Sequence, residues 1–186
     1  LTAGRDYMIK ALISERQALS MTKEIVLAGG CFWGCQAYFE QLKGVVATTV
    51  GYAQSRVASP SYEEVKSQTT GAAEAVKIVY DPKQITLTDL IGHLFRFIDP
   101  TVKDHQAHDY GNQYRTGIYY SDVADQMEIA AALQEQQKNF SKPILTENMP
   151  LGNFYRAEDY HQDYLAKNPG GYCHVNLALI RPDEKK

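Results

Sequence analysis

One junction sets the plan of this chain: an apolar run, Glu24-Ile25-Val26-Leu27-Ala28, passes through Gly29-Gly30 into Cys31-Phe32-Trp33-Gly34-Cys35. The run predicts a short buried strand, and the two glycines allow the tight turn that follows it. From residue 31 to residue 42 apolar positions recur every three or four residues, which predicts a helix. A cysteine therefore lies where a strand ends and a helix begins.

The other elements mix strands and helices without a strict alternation. Strands are predicted at 45–52, 75–80, 116–120, 144–146 and 174–180, and helices at 1–20, 62–66, 87–98, 121–138 and 158–167. Residues 99–115 form a long polar loop, a feature that is usually functional in a compact domain. The pattern favours an α/β two-layer sandwich with an open mixed β-sheet, packed helices and long irregular loops.

Composition excludes several classes of protein. The chain has 186 residues and a formal net charge of −3, with no basic block to neutralise nucleic-acid phosphates. No apolar run is long enough to span a membrane, and charged residues interrupt the start where a signal peptide would need an apolar core. Three cysteines do not make a disulfide framework, which indicates a reducing, cytoplasmic compartment.

Cys31 is the strongest candidate for chemistry. Unpaired amides at a helix start stabilise a thiolate, so this position predicts a lowered thiol pKa and a nucleophile. Phe32 and Trp33 follow directly and would form an apolar wall for a small group such as a methyl. An ordinary core cysteine is the alternative, which the glycines and the helix start disfavour. Cys35, one turn further on, is too far for a disulfide with Cys31 and is expected in the core.

Oxygen-bearing side chains supply candidate proton donors. Glu74 starts a strand among small apolar residues, which would raise its carboxyl pKa and make it a general acid, unless it lies exposed at an edge. Asp109 and Tyr114 belong to the polar loop. Tyr62 and Tyr114 could donate phenolic protons, although such tyrosines are more often core residues with their hydroxyl at the rim.

A third cysteine and a histidine pair complete the candidates. Cys173 lies in a loop rich in helix breakers, where a thiol is free to attack an oxidised nucleophile or has no role at all. His105 and His108 form an HxxH pair, but no cysteine or acidic cluster lies at ligand spacing. No metal is therefore expected.

Several short motifs follow one another between residues 23 and 177. They are Gly30-Cys31-Phe32-Trp33-Gly34, Pro60-Ser61-Tyr62, Thr70-Gly71 with Ala73-Glu74-Ala75-Val76, Tyr80-Asp81-Pro82, Asp99-Pro100-Thr101, Asp109-Tyr110-Gly111-Asn112-Gln113-Tyr114-Arg115, Ala157-Glu158-Asp159-Tyr160-His161-Gln162, and Asn168-Pro169 to Cys173. In content and in order, the series resembles the class A peptide methionine sulfoxide reductases, whose fold is an α/β two-layer sandwich.

The resemblance implies thiol-dependent reduction of methionine S-sulfoxide, free or in peptides and oxidised proteins, as repair after oxidative damage. The family's functional positions fall on Cys31 as nucleophile, Phe32 and Trp33 as the methyl-binding pair, Glu74 as acid, Tyr62, Asp109 and Tyr114 as oxygen-binding groups, and Cys173 as resolving cysteine. A Cys31 sulfenic acid would become a Cys31–Cys173 disulfide that thioredoxin reduces, with no metal or organic cofactor. Residues 1–22 would be an N-terminal helical extension and 23–186 a single catalytic domain.

Two other functions stay open at this point. A cysteine hydrolase could use Cys31 with His161 or His174 as its base. A module without catalysis could bind peptides through the aromatic patch beside Cys31.

One position that departs from the pattern of the family is Ala72, which stands where family members often carry His and leaves the pKa of Glu74 less defined.

Overall fold

The structure is a computed structural model that describes residues 3–186, and Leu1 and Thr2 of the predicted first helix lie outside the described residues. The helices are α1 Ala3–Ser20, α2 Phe32–Glu40, α3 Tyr62–Lys66, α4 Leu87–Phe97, α5 Gln126–Gln137 and α6 Tyr164–Lys167. The strands are β1 Lys23–Gly29, β2 Val45–Ala53, β3 Ala73–Tyr80, β4 His105–Gln106, β5 Asp109–Tyr110, β6 Thr116–Tyr120, β7 Glu147–Pro150 and β8 Phe154–Arg156.

The main sheet is open and mixed, as the sequence predicts. Its strand order is β7-β6-β1-β3-β2-β8, with β6 and β7 parallel and the other neighbours antiparallel. Successive side chains of a strand point to opposite faces. Ile25 and Leu27 of β1 accordingly join the large core under α2 and α4, while Val26 and Ala28 join a smaller cluster on the other face. The α/β fold with helices packed on an open mixed sheet is confirmed.

The helix α4 forms where the apolar periodicity predicts it. Leu90, Ile91 and Leu94 are fully buried. Residues at this spacing lie on one side of a helix, and that side packs against the core. Thr86 and Asp89 form a capping box at the helix start, which satisfies two backbone amides. The large core therefore rests on this helix and on α2.

Strand pairing brings three segments to the turn before α2. Leu27 pairs with Val76 near the end of β1, and Glu74 lies two residues before Val76 at the start of β3. On the other side of β1, Gly29 pairs with Thr116 at the start of β6. The end of β1 therefore lies between the start of β3 and the loop that precedes β6.

Several predicted boundaries are wrong. The helix predicted at 121–138 starts only at Gln126, after a 3₁₀ turn at 123–125 that Asp122 caps. The strand predicted at 144–146 lies at 147–150. The helix predicted at 158–167 is interrupted because Asp163 adopts a left-handed φ of 53°, which leaves a 3₁₀ turn and the short α6.

The strand predicted at 174–180 does not form, and residues 177–179 make a 3₁₀ turn instead. Its alternating pattern has another origin: Val175 packs against Gly34 of α2 rather than beside a strand. On α1, the apolar side chains of Met8, Leu12 and Ile13 are at least half exposed. None of the helices within residues 3–186 combines the length and apolarity that crossing a bilayer needs.

Replacing Leu90 with Ala is expected to destabilise the fold by about 2–5 kcal/mol, because the removed atoms leave a cavity in a packed core. Urea unfolding measures the effect. Leu145→Ala is the matched control, since Leu145 is 50% exposed and its loss should change the free energy of unfolding by at most about 0.5 kcal/mol. A cost below about 1 kcal/mol for Leu90→Ala would contradict the assignment of α4 to the core.

Candidate active site

Cys31 lies immediately before α2 with a non-helical backbone, φ −52° and ψ 122°, and is only 7% exposed. Burial raises the pKa of its thiol, and the nearby Glu74 raises it further, whereas the backbone amide of Trp33 lowers it. The two raising effects prevail. The predicted lowering of the Cys31 pKa is therefore wrong, because the helix start lies under a covering of other residues: the resting group is a buried thiol.

Glu74 is buried rather than exposed at an edge, with 1% of its surface accessible. Its Oε1 accepts a hydrogen bond of 3.2 Å from the backbone amide of Phe32, the residue after Cys31. Burial raises the pKa of Glu74 to about 8, although the Phe32 amide lowers it. At neutral pH this carboxyl group keeps its proton and can act as a donor.

Tyr62, Asp109 and Tyr114 lie around the same space, each half-buried. Burial raises the pKa of both phenols, and both also respond to the charges of Glu74 and Cys31, which requires all four groups to be close. Asp109 also acts on the pKa values of Glu74 and Cys31. The structure thus brings these five predicted residues together.

An aromatic wall borders Cys31. The Trp33 ring stacks on Tyr164 with ring centres 3.7 Å apart, and its Nε1 donates a 2.9 Å hydrogen bond to Nδ1 of His161. The fully buried His161 also contacts Phe32 and Tyr62, with ring centres 5.1 and 4.5 Å away. Sequence reasoning missed Tyr164 and this role of His161, because residues so far apart in the chain leave no local pattern.

Sequence reasoning also missed Glu158 and Tyr52, two residues that support the site. The carboxylate of Glu158 accepts hydrogen bonds from the hydroxyl of Tyr52, at 2.8 Å, and from the backbone amide of Tyr62, at 3.1 Å. It thereby ties the start of α3 to β2, where Tyr52 pairs with Glu74. Glu158 lies within a motif of the sequence, but no spacing links it to Tyr52.

All three cysteines are free thiols. Cys35 is buried, as expected of a core residue, and donates to the carbonyl of Gly29 at 3.2 Å. Cys173 is half-buried, and its Sγ donates to the carbonyl of Val175 at 3.2 Å. The preceding Tyr172 donates to Oδ2 of Asp109 at 2.9 Å, which links the Cys173 loop to the site.

Each histidine considered as the base of a hydrolase has one ring nitrogen engaged in a hydrogen bond. Nδ1 of His161 accepts from Trp33, and Nε2 of His174 bonds to the carbonyl of Gly29 at 2.8 Å. His105 of the HxxH pair stacks on Tyr110 with ring centres 4.8 Å apart. Across residues 3–186 we find no group of three or more His, Cys, Asp or Glu side chains arranged to hold a metal ion.

The fold and this site together define an enzyme that works through a cysteine thiol. The family model described as peptide methionine sulfoxide reductase matches residues 23–186, and the chain belongs to this family. It is 55% identical over 155 residues to the peptide methionine sulfoxide reductase MsrA of Mycoplasma genitalium, covering 83% of this chain and 99% of that protein.

Solved structures agree. The reduced form of Mxr1 from Saccharomyces cerevisiae has a TM-score of 0.78 and 38% identity, covering 84% of this chain and 92% of that one. Mxr1 in complex with Trx2 has a TM-score of 0.57 and 31% identity, covering 78% of this chain and 86% of that one. The resemblance drawn from the motifs is confirmed.

Replacing Glu74 with Gln is expected to change how stability depends on pH. The folded-state pKa of about 8 lies above the ordinary 4.5, so the folded wild type retains a proton that the unfolded chain loses. Its stability should therefore fall as pH rises between these values, by up to about 1.4 kcal/mol per pH unit, and this fall should be absent in Glu74→Gln.

Urea unfolding at about pH 5 and about pH 8 measures the difference. Glu63→Gln is the control, because Glu63 is exposed on α3 and should leave the pH dependence of the wild type unchanged. Parallel stability curves for wild type and Glu74→Gln would show that Glu74 is ionised in the folded protein at neutral pH.

Proposed function

We propose that this chain reduces methionine S-sulfoxide, free or within peptides and oxidised proteins, to methionine, and so repairs oxidative damage. The observation that carries the proposal is the burial of Glu74, which raises its pKa to about 8, beside the Cys31 thiol and next to an aromatic wall. A sulfoxide sulfur is a poor electrophile until its oxygen is protonated or strongly hydrogen-bonded. A neutral carboxyl group close to a thiol supplies that proton.

In the chemical step, Glu74 protonates the sulfoxide oxygen while Tyr62 and Tyr114 bind it and Asp109 helps to orient it. The Cys31 sulfur attacks the substrate sulfur, and its proton reloads Glu74. Oxygen then passes to Cys31, which leaves methionine and a Cys31 sulfenic acid. Because burial raises the pKa of the Cys31 thiol, the thiolate forms only as the proton is taken up within the filled site.

The methyl group of the substrate fits the wall formed by Phe32 and Trp33. Trp33 is fixed from two sides, by stacking on Tyr164 and by its bond to His161. A fixed apolar wall opposite hydroxyl groups can hold the two substituents and the oxygen of a chiral sulfoxide in one arrangement. This supports selection of the S epimer.

Recycling would use Cys173 as resolving cysteine, with a Cys31–Cys173 disulfide reduced by thioredoxin and no resident cofactor. The similarity to Mxr1, whose structure with Trx2 is known, supports this reductant. A cytoplasmic location suits this cycle, because thiols stay reduced there. In this proposal residues 1–22 are an N-terminal helical extension and 23–186 the catalytic domain, the span that the family model matches.

The activity is tested by incubating the protein with a methionine sulfoxide peptide and dithiothreitol and following the peptide by mass spectrometry. We expect the loss of one oxygen atom with the S epimer, and no loss with Cys31→Ser, because the nucleophile is gone. Cys35→Ser is the matched control and should retain turnover. Peptide cleavage would instead indicate a hydrolase, and retention of the unchanged peptide a binding module.

Replacing Cys173 with Ser should separate the two halves of the cycle. The variant should still form one equivalent of methionine per protein but should not turn over with thioredoxin, because no disulfide can form. Quantifying methionine with and without thioredoxin measures this. Continued thioredoxin-driven turnover would exclude Cys173 and point to Cys35 as the resolving residue.

A further inference from the structure

The segment that carries Cys173 is docked against the start of α2. His174 lies over Gly30 and Gly34, where an added β-carbon would come within 2.9 Å of Nε2 and 3.3 Å of Nδ1, respectively. The absence of side chains at these two glycines lets the imidazole approach the helix. The ring is held there by the 2.8 Å hydrogen bond between Nε2 and the carbonyl of Gly29.

This hydrogen bond determines the tautomer of His174. A carbonyl oxygen can only accept, so Nε2 must carry the proton. In the neutral ring Nδ1 is then an unprotonated acceptor. Among the described residues this buried Nδ1 has no hydrogen-bond partner, which is uncommon for a buried polar atom and calls for an explanation.

The unpartnered Nδ1 and the Cys173 thiol border the same gap above Gly34. The position of a β-carbon on Gly34 would be 3.3 Å from Nδ1 of His174 and 3.1 Å from Sγ of Cys173. In the reduced protein this thiol donates to the carbonyl of Val175. It must leave that bond to attack another sulfur, and Nδ1 is then an acceptor at hand for its proton.

We propose that His174 is the base that takes the proton of Cys173 when this cysteine attacks the sulfenic acid on Cys31; the inference rests on the proposed function. The thiol proton moves to Nδ1, and the S–S bond forms as the S–O bond breaks. The hydroxide leaves as water with a proton from Glu74. The disulfide holds both oxidising equivalents, so no other oxidant or reductant is consumed.

Electrostatics keep His174 available as an acceptor. Burial lowers its pKa, while the Gly29 carbonyl and the charge of Asp109 raise it. Three titratable groups face the ring: Asp109 acts on it through its charge, Cys173 borders the same gap above Gly34, and Cys35 is bonded to the same carbonyl. The net direction is downward, so the imidazole is neutral at neutral pH. Disulfide formation should slow when pH falls through this lowered pKa.

His174→Gln is the test, because the Gln amide can still donate to Gly29 while offering no base. Reduced protein is mixed with excess methionine sulfoxide peptide and quenched at intervals. Released methionine reports the first step, and alkylation of the remaining thiols with mass spectrometry reports the disulfide. We expect methionine release as in the wild type, but disulfide formation at least about tenfold slower and without the fall at low pH.

His93→Gln is the control, since His93 is a buried histidine bonded to Tyr38 outside the site. It should form the disulfide at the wild-type rate. Disulfide formation at the wild-type rate and with the wild-type pH profile in His174→Gln would overturn the proposal. A wild type that releases no methionine would instead contradict the proposed function itself.

A second variant covers the case that His174→Gln does not fold. In His174→Ala, added imidazole should accelerate disulfide formation, because a free base replaces the missing one. A rate that is slow but does not respond to imidazole would indicate a merely structural histidine.

Discussion

The carboxyl group of Glu74 is buried at the start of β3, and the chemistry of the site depends on that burial. Removing an ionised carboxylate from water without a countercharge is costly, so the group keeps its proton instead. The amide of Phe32 offsets part of this cost and fixes the carboxyl beside the end of β1. The same enclosure keeps the Cys31 thiol protonated. The acid Glu74 and the nucleophile Cys31 are therefore both neutral until a substrate binds whose oxygen can accept a proton.

The glycines at the start of α2 shape the backbone and also place the cysteines and His174. Gly30 turns the chain with a φ of 87°, which sets Cys31 at the helix start. Gly34 leaves room for Cys173 and His174. The carbonyl of Gly29 accepts from both Cys35 and His174 and so anchors a core thiol and the docked loop at one point. A single turn thus links both halves of the proposed cycle.

Much of this arrangement could be predicted from local pattern. The β1–α2 junction and the stripe of α4 follow from periodicity, and the small neighbours of Glu74 indicated a buried carboxyl. The predicted direction of the Cys31 pKa shift was wrong because the residues that bury this thiol come from distant parts of the chain, which a local sequence pattern does not reveal. The partnership of Trp33 with His161 spans 128 positions and leaves no spacing to recognise. The strand predicted at 174–180 does not form, because the alternation of apolar residues there reflects packing against α2.

The protonation state of Glu74 can be measured directly, by a carbon-detected NMR titration of its side-chain carboxyl in the reduced protein, with Glu74→Gln to assign the signal. A midpoint near the value of about 8 is expected, with the carboxyl protonated at neutral pH. A midpoint near the ordinary 4.5 would mean that the carboxylate is ionised where the substrate oxygen must be protonated, and would contradict the account.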